Sequence, residues 1–266
     1  MNHWLSETLF KLEMKRSFKS LLIWSAAMAG TMILVIVLYP IAKDMFAAVP
    51  PEFQSFIEDF GGIPTNILEY YATEGAMMLQ IFGGIYAAME GFNAIARDER
   101  EKTVETLYQL PLKRRVFFFT KLFRASVNLI IFSMVTYVLS MAGFVMIGES
   151  FDIGLFTYFF VLNMVMYLML VVFGLTLSVF LKKTDKSFVS VMIPFGFYII
   201  SLLAMATDNE WLTDLKYLTP FTFCNPVEIL KENAGFETLN FVIFVGLTIL
   251  AVMLSLRKFK KHEFIV

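Results

Sequence analysis

Residues 155–181 read LFTYFFVLNMVMYLMLVVFGLTLSVFL, an uncharged and mostly apolar run that is long enough to cross a lipid bilayer as one helix. Five further runs share this character, since a hydrocarbon core about 30 Å thick needs about 20 helical residues. The six predicted spans are residues 21–41, 75–96, 125–147, 155–181, 188–206 and 238–256. Hydrophobic residues make up 58% of the chain, which is more than in soluble globular proteins. We therefore predict an all-α, polytopic membrane protein with six transmembrane helices.

The basic residues are distributed unevenly about these spans. Nineteen of the 22 Lys and Arg residues precede span one, follow span six, or lie between spans two and three or four and five. The other three, Lys43, Lys216 and Lys231, lie in loops on the opposite side, as do 14 of the 23 acidic residues. Because Lys and Arg in short loops are retained in the cytoplasm, we predict an N-in, C-in topology.

The predicted spans indicate a single transmembrane domain, residues 1–266, with several connecting segments. Residues 1–20 carry apolar side chains at helical spacing beside a stripe of lysines. This pattern predicts an amphipathic helix lying on the cytoplasmic membrane surface, and an ordinary basic flank is the alternative. Residues 44–74 and 207–237 are predicted extracytoplasmic loops, and residues 97–124 a cytoplasmic segment.

The two long outer loops contain helix start and stop signals. Two prolines and a Gly–Gly pair bracket an apolar set in residues 50–62, which predicts a short helix at the outer surface. We predict that Thr65 caps a second short helix leading into span two. Asn225 and Pro226 are typical of the N-cap and first residue of a third, ending near Gly235.

Patterns for nucleotide or metal chemistry do not occur in the sequence. There is no glycine-rich phosphate-binding run followed by Lys and Ser or Thr, and both histidines lie near the ends of the chain. The single cysteine, Cys224, has no partner for an intrachain disulfide. We therefore expect a protein that is not itself an enzyme, with no catalytic site, no metal site and no cofactor bound by this chain.

Glu90 is the one ionisable residue inside the predicted spans. A charged side chain near mid-bilayer costs about 3 kcal/mol on insertion scales, so such residues face protein or water. Two roles are open for it, lining a translocation path or pairing with a cytoplasmic Lys or Arg. Gln80 and Asn163 are further candidates for the path, as polar residues within predicted spans.

Residues 97–115 read RDEREKTVETLYQLPLKRR and carry the strongest functional signal. Val104, Leu107 and Tyr108 form an apolar stripe opposite Glu105, and Pro111 stops the helix near Leu110. A short amphipathic helix with mixed charges is better suited to docking on a partner protein than to binding lipid.

This segment resembles the one that follows span two in permease subunits of ABC type-2 transporters. The residues that carry the resemblance are Arg97, Glu99, Thr103, Glu105, Leu107, Leu110, Pro111, Arg114 or Arg115, and Lys121. Lys102 departs from the pattern, since glycine is common at that position. The six-span topology, the amphipathic leader and the outer loop from Thr219 to Pro226 are similar as well, so the resemblance covers nearly the whole chain.

The resemblance implies an ABC type-2 exporter-like fold in which two permeases pair, as a homodimer or with a paralogue. Each would dock on a separate cytosolic ABC ATPase through a coupling helix in residues 97–115. ATP and Mg²⁺ would then bind to the ATPase and not to this chain. The resemblance also implies a bacterial plasma membrane, contact with its lipids, and no nucleic-acid partner. The chain is also similar to permeases that export amphipathic peptides such as phenol-soluble modulins. A peptide or other hydrophobic cargo is therefore expected, with lantibiotic-type peptide immunity, sodium efflux and lipid export left open.

Two functions from other classes compete with this hypothesis. An energy-independent channel or secondary transporter would need coupling-ion ligands or a polar pore lining, which one intramembrane glutamate hardly supplies. A membrane-embedded enzyme would need a catalytic constellation inside the bundle.

Overall fold

A computed structural model describes residues 5–50, 63–101, 103, 111–181, 187–205, 214–231 and 236–261. Its helices, in chain order, are α1 (Glu7–Ala47), α2 (Ile67–Tyr70), a π-helical segment (Tyr71–Ala76), α3 (Met77–Arg100), α4 (Arg114–Ile147), α5 (Ile153–Phe180), α6 (Met192–Met205), α7 (Pro226–Leu230) and α8 (Thr238–Lys261). Short 3-10 turns cover Ser187–Val191, Asp214–Leu218 and Thr222–Cys224. The described residues contain no strand, so this part of the chain is all-helical.

Within the described residues, four helices are long and apolar enough to cross a membrane, namely α1, α4, α5 and α8. The fifth predicted span corresponds to a 3-10 turn followed by α6, a shorter apolar stretch. The second corresponds to α3, whose apolar character is reduced by Gln80, Glu90 and Asn93. Most of α3 is buried against α1, α4, α5 and α6, so Gln80 and Glu90 face protein.

The most extensive helix pairing joins α3 to α5, and glycines allow it. A methyl group added at Gly91 would come within 1.9 Å of the Val171 carbonyl oxygen, and one at Gly174 within 2.1 Å of the Ala88 carbonyl oxygen. At these two levels the helix backbones touch directly, because no side chain separates them. The pair forms the centre of the bundle.

The predicted surface helix of residues 1–20 takes a different form in the structure. Residues from Glu7 onward are the first turns of α1, which continues without a break to Ala47 and is capped by Ser6. The lysine stripe is exposed as expected, but Glu13 and Ser17 on another face are buried. These polar groups find partners on neighbouring helices, which explains why the leader extends α1 into the bundle.

The connections that the sequence predicts as outer loops agree with the sequence in part. Asn66 rather than Thr65 caps α2, because its side-chain oxygen accepts bonds from the Leu68 and Glu69 amides, both at 3.0 Å. Asn225 and Pro226 are the predicted N-cap and first residue of α7, although that helix ends at Leu230, short of Gly235. The helix predicted within residues 50–62 lies outside the described residues.

Candidate functional site

Three helix ends meet where the chain turns from α3 into α4, and we call this region the foot of the bundle. It comprises the first turns of α1, the last turns of α3 and the first turns of α4. The α1 leader is fixed there by the Ser6 amide, which donates to the Thr120 hydroxyl at 3.0 Å. Residues 97–115, which the sequence marks for partner docking, begin and end at the foot.

Four charged side chains form a closed ring at the foot, which we call the ion ring. Lys121 Nζ lies 3.0 Å from Glu13 Oε1 and 2.7 Å from Asp98 Oδ2. Arg16 Nη1 lies 3.0 Å from the same Glu13 oxygen and 3.1 Å from Asp98 Oδ1. Positive and negative groups therefore alternate around the ring. They come from α1, α3 and α4, so one ring joins three helices.

The ion ring is enclosed except at Arg16. Glu13 and Asp98 are each 1% exposed and Lys121 is 0% exposed, whereas the Arg16 side chain is 18% exposed. Arg16 Nη2 also reaches Glu101 Oε2 at 2.5 Å, and Glu101 lies 3.9 Å from Arg97 Nε. A rim of partly exposed charges thus surrounds the open side of a buried centre.

A second buried ion pair lies farther inside the bundle. Glu90 on α3 pairs with Arg124 on α4, and its Oε2 also accepts a bond from Asn128 Nδ2 at 3.1 Å. Asn128 Nδ2 donates in turn to the Ser17 hydroxyl of α1 at 2.9 Å. Of the two roles open for Glu90, this geometry matches pairing with a basic residue. Arg124 was not singled out because it lies just before span three, among the residues that set topology.

The pair leaves several polar atoms without partners. Nε and Nη2 of Arg124, Oδ1 of Asn128 and the Tyr86 hydroxyl are buried and have no hydrogen-bond partner among the described residues. Buried polar atoms of this kind are normally satisfied by internal water. The Glu90 region is therefore a polar island within an apolar bundle.

Such buried ion pairs contribute little to net stability. Removing charges from water costs several kcal/mol per ion, and the attraction between them roughly offsets that cost. Deleting one member of a pair, however, leaves a buried charge and costs about 3–5 kcal/mol. The ion ring and the Glu90–Arg124 pair therefore specify how three helices fit together more than they strengthen the fold.

The other two path candidates lie apart from Glu90. Gln80 is ten residues earlier on α3, about 15 Å along the helix axis. Its Nε2 donates to the Cys224 carbonyl at 2.6 Å and ties α3 to the 3-10 turn Thr222–Cys224. Asn163 is buried on α5, and its Oδ1 has no partner among the described residues. The structure therefore separates Gln80 from Glu90 along α3.

The chain matches the family described as ABC-2 family transporter protein over residues 8–264. It belongs to this family. No curated protein sequence matches it. The chain is thus a multi-pass membrane component of an ABC transporter, a kind of subunit that works with an ABC ATPase and is generally not catalytic itself.

Residues 97–115 are the predicted coupling segment, and their described part is anchored to the foot of this ABC-2 permease. The Thr103 amide donates to the Asp98 carbonyl at 3.0 Å, which closes the end of α3. On the other flank, Arg114 Nη1 donates to the Lys260 carbonyl at 3.0 Å and Arg115 lies over the Phe119 ring.

The remaining predicted coupling residues divide into described and undescribed positions. Arg97 and Glu99 are half-buried on the last turns of α3, and Pro111 is exposed. Glu105, Leu107 and Leu110, and with them the predicted amphipathic helix, lie outside the described residues.

A cavity of about 800 Å³ opens at the foot, between the start of α1 and the start of α4. Phe10 and Phe123 belong to its apolar lining, while Glu7 and Lys113 place opposite charges there. It adjoins Pro111, so it lies beside the coupling segment.

Proposed function

We propose that this ABC-2 permease is the membrane half of an ATP-driven exporter whose ATPase docks on residues 97–115. All six predicted spans cross the membrane, and both termini and residues 97–124 face the cytosol of a bacterial cell. The concentration of 19 of the 22 Lys and Arg residues on that side supports this orientation. It brings the coupling segment to the compartment in which ATP is available.

The observation that carries this proposal is the anchoring of the coupling segment. Asp98, inside the segment, lies 2.7 Å from Lys121 on α4 and 3.1 Å from Arg16 on α1. A partner that displaces a segment held in this way displaces the bundle, which is what an external motor requires. A loop that only connected α3 to α4 would need no such attachment.

The proposed assembly contains two permease copies and two ATPases. The second copy is either identical or a paralogue, and lipid surrounds the exposed apolar faces of α1, α6 and α8. ATP and Mg²⁺ bind to the ATPases, because this chain has no phosphate-binding run. The permease supplies the path and two interconverting states, and nucleotide binding shifts the balance between them.

The cargo is an amphipathic peptide or another hydrophobic compound. Apart from the ion pairs at and near the foot, the described interior is dominated by aromatic and aliphatic side chains. Such a lining favours apolar surface over a bare ion, which would need polar ligands along its route. Stimulation of the purified complex's ATPase by amphipathic peptides, compared with sodium and lipid, tests this point. No response to any peptide contradicts it.

Co-purification tests the docking. Leu107→Ala with Glu105→Ala removes one apolar and one acidic group from the predicted coupling helix. A matched control, Leu218→Ala with Asp214→Ala, makes the same changes in an outer 3-10 turn. We expect the first variant to lose most of the ATPase bound to the tagged permease, and the control to retain it. Full retention by both variants contradicts docking at residues 97–115.

Reconstitution separates this function from its main competitor. Purified permease in liposomes without any ATPase is expected to move no cargo. Passage of ions or solutes by the permease alone would identify an energy-independent channel or secondary transporter instead.

A further inference from the structure

The ion ring connects the coupling segment to a helix that the chain does not join to it. Asp98 lies within residues 97–115, and Lys121 lies on α4 just beyond them. Glu13 and Arg16, which complete the ring, belong to α1, more than 80 residues earlier in the sequence. The contact between α1 and the segment therefore exists only through space.

Ionic contacts hold this junction more strictly than apolar packing would. Each charge in the ring has two partners at 2.7–3.1 Å, in addition to the apolar packing of the helices. Glu13 and Arg16 are three residues apart and share one helix face, so turning α1 about its axis removes both from the ring. A displaced charge would lie unpaired in a buried site, which opposes slippage.

Helix α1 extends from the ring to the other side of the bundle. Its 41 residues form a rod about 60 Å long, about twice the thickness of the hydrocarbon core. A shift of α1 at the foot is therefore felt at the opposite membrane surface.

Arg16 differs from the other ring members in its number of partners and in its exposure. It contacts three carboxylates, those of Glu13, Asp98 and Glu101, and its side chain is the most exposed of the four. It is therefore the member that exchanges partners most readily when α3 moves relative to α1.

We propose that Glu13, Arg16, Asp98 and Lys121 are positioning residues that transmit movement of the coupling segment to α1. This inference rests on the proposed function, because the movement is supplied by the docked ATPase. When the ring is intact, α1, α3 and α4 move together at the foot. When its charges are removed, the ATPase still binds residues 97–115 and hydrolyses ATP, but α1 no longer follows.

The decisive variant neutralises the whole ring with side chains of similar size. It combines Glu13→Gln, Arg16→Gln, Asp98→Asn and Lys121→Met, which leaves no buried ion unpaired and so preserves folding. Arg16→Gln alone is a milder second variant at the least buried position. The matched control is Lys43→Gln with Glu149→Gln, which removes an exposed ion pair from the other end of α1.

The readout is the nucleotide-dependent position of α1 in the full complex. The ATPase recovered with the wild-type permease is reconstituted with each variant in lipid nanodiscs. Spin labels at Lys19→Cys on α1 and Arg257→Cys on α8, both exposed positions, report the inter-helix distance by pulsed electron paramagnetic resonance. Cys224 remains in place because its thiol is buried. Each complex is measured without nucleotide and with ATP and vanadate.

The wild type and the control are expected to change distance when nucleotide is added. The neutral ring is expected to lose at least half of that change while it keeps ATPase binding and hydrolysis, and Arg16→Gln to lose a smaller part. A full change in the neutral ring overturns the inference, as does the absence of any change in the wild type. If the neutral ring does not assemble, a full change in Arg16→Gln overturns it.

The same experiment distinguishes failure of the inference from failure of the proposed function. Absence of an ATPase in the wild-type preparation overturns the proposed function, and this inference with it, before any distance is measured. A bound, active ATPase with unaltered movement in the neutral ring overturns the inference alone.

Discussion

Replacing Gly91 with alanine is expected to force α3 and α5 apart at the centre of the bundle. The added methyl carbon would lie 1.9 Å from the Val171 carbonyl oxygen and 2.7 Å from the Val171 carbonyl carbon. Ordinary carbon–oxygen contacts need roughly 3.3 Å, so the two backbones must separate by about 1.4 Å. Both neighbouring atoms belong to the α5 backbone, so rotation of a side chain cannot relieve the clash.

The cost follows from overpacking at a buried site. Inserting a methylene group into a well-packed core costs about 1–3 kcal/mol, and a clash between two backbones belongs at the upper end. The greater helix propensity of alanine recovers up to about 1 kcal/mol. A net loss of about 2 kcal/mol corresponds to a fall of about 4–8 °C in melting temperature for a chain of this size.

Thermal unfolding of the purified permease in detergent, followed by size-exclusion chromatography of a fluorescent fusion, measures this loss. Gly246→Ala on α8 is the matched control, because a methyl group there meets nothing within 4 Å. The control should melt at or slightly above the wild-type temperature, through the better helix propensity of alanine. A Gly91→Ala variant as stable as this control would refute direct backbone contact between α3 and α5.

Three further predictions concern buried or capping groups. Lys121→Met leaves Glu13 and Asp98 with too little positive charge and should lower the free energy of unfolding by about 3–5 kcal/mol in the thermal assay. Adding Asp98→Asn to the same chain should restore part of that loss. Unchanged melting of the single variant contradicts the ion ring. Burial raises the pKa of the Cys224 thiol, so this thiol should resist maleimide at pH 8 in the folded permease and react on denaturation. Mass spectrometry measures the labelling. Labelling of the folded chain contradicts the burial of Cys224. Asn225→Ala removes the cap of α7 and should lower the free energy of unfolding by about 1 kcal/mol in the same assay. Asn225→Asp keeps the accepting oxygen and should not lower it. Equal melting of both variants argues against the cap.

The apolar runs in the sequence located the helices well, because lipid solvent imposes length and hydrophobicity on each span. Four of the six predicted spans coincide with helices that are apolar and long enough to cross. The second predicted span, which corresponds to α3, is harder to recognise by hydropathy. It is enclosed by other helices, and Gln80 and Glu90 within it have partners on neighbouring segments. The π-helical turns of Tyr71–Ala76 could not be foreseen, as they depend on how α2 enters the bundle.

The candidate site was predicted less completely than the fold. Glu90 was recognised because it interrupts an apolar run. Its partner Arg124 and the ring member Lys121 look in the sequence like the ordinary basic flank of a span. A signal was nevertheless present in the leader, where Glu13 and Ser17 occupy a different helix face from the exposed lysines. Which residues they meet depends on tertiary packing across more than 80 residues, and one sequence does not reveal it.

The amphipathic coupling helix stays a prediction, since Glu105, Leu107 and Leu110 fall outside the described residues. The structure shows the residues on either side of this predicted helix. The end of α3 and the start of α4 are each fixed by named contacts at the foot.

The charges buried at the foot also bear on how the membrane voltage acts on this permease. The potential does work only on net charge that crosses it, about 2.3 kcal/mol per elementary charge for each 100 mV. The ion ring sums to zero, and the Glu90–Arg124 pair does so separately. A joint displacement of these six side chains across the membrane potential therefore carries no net electrical work.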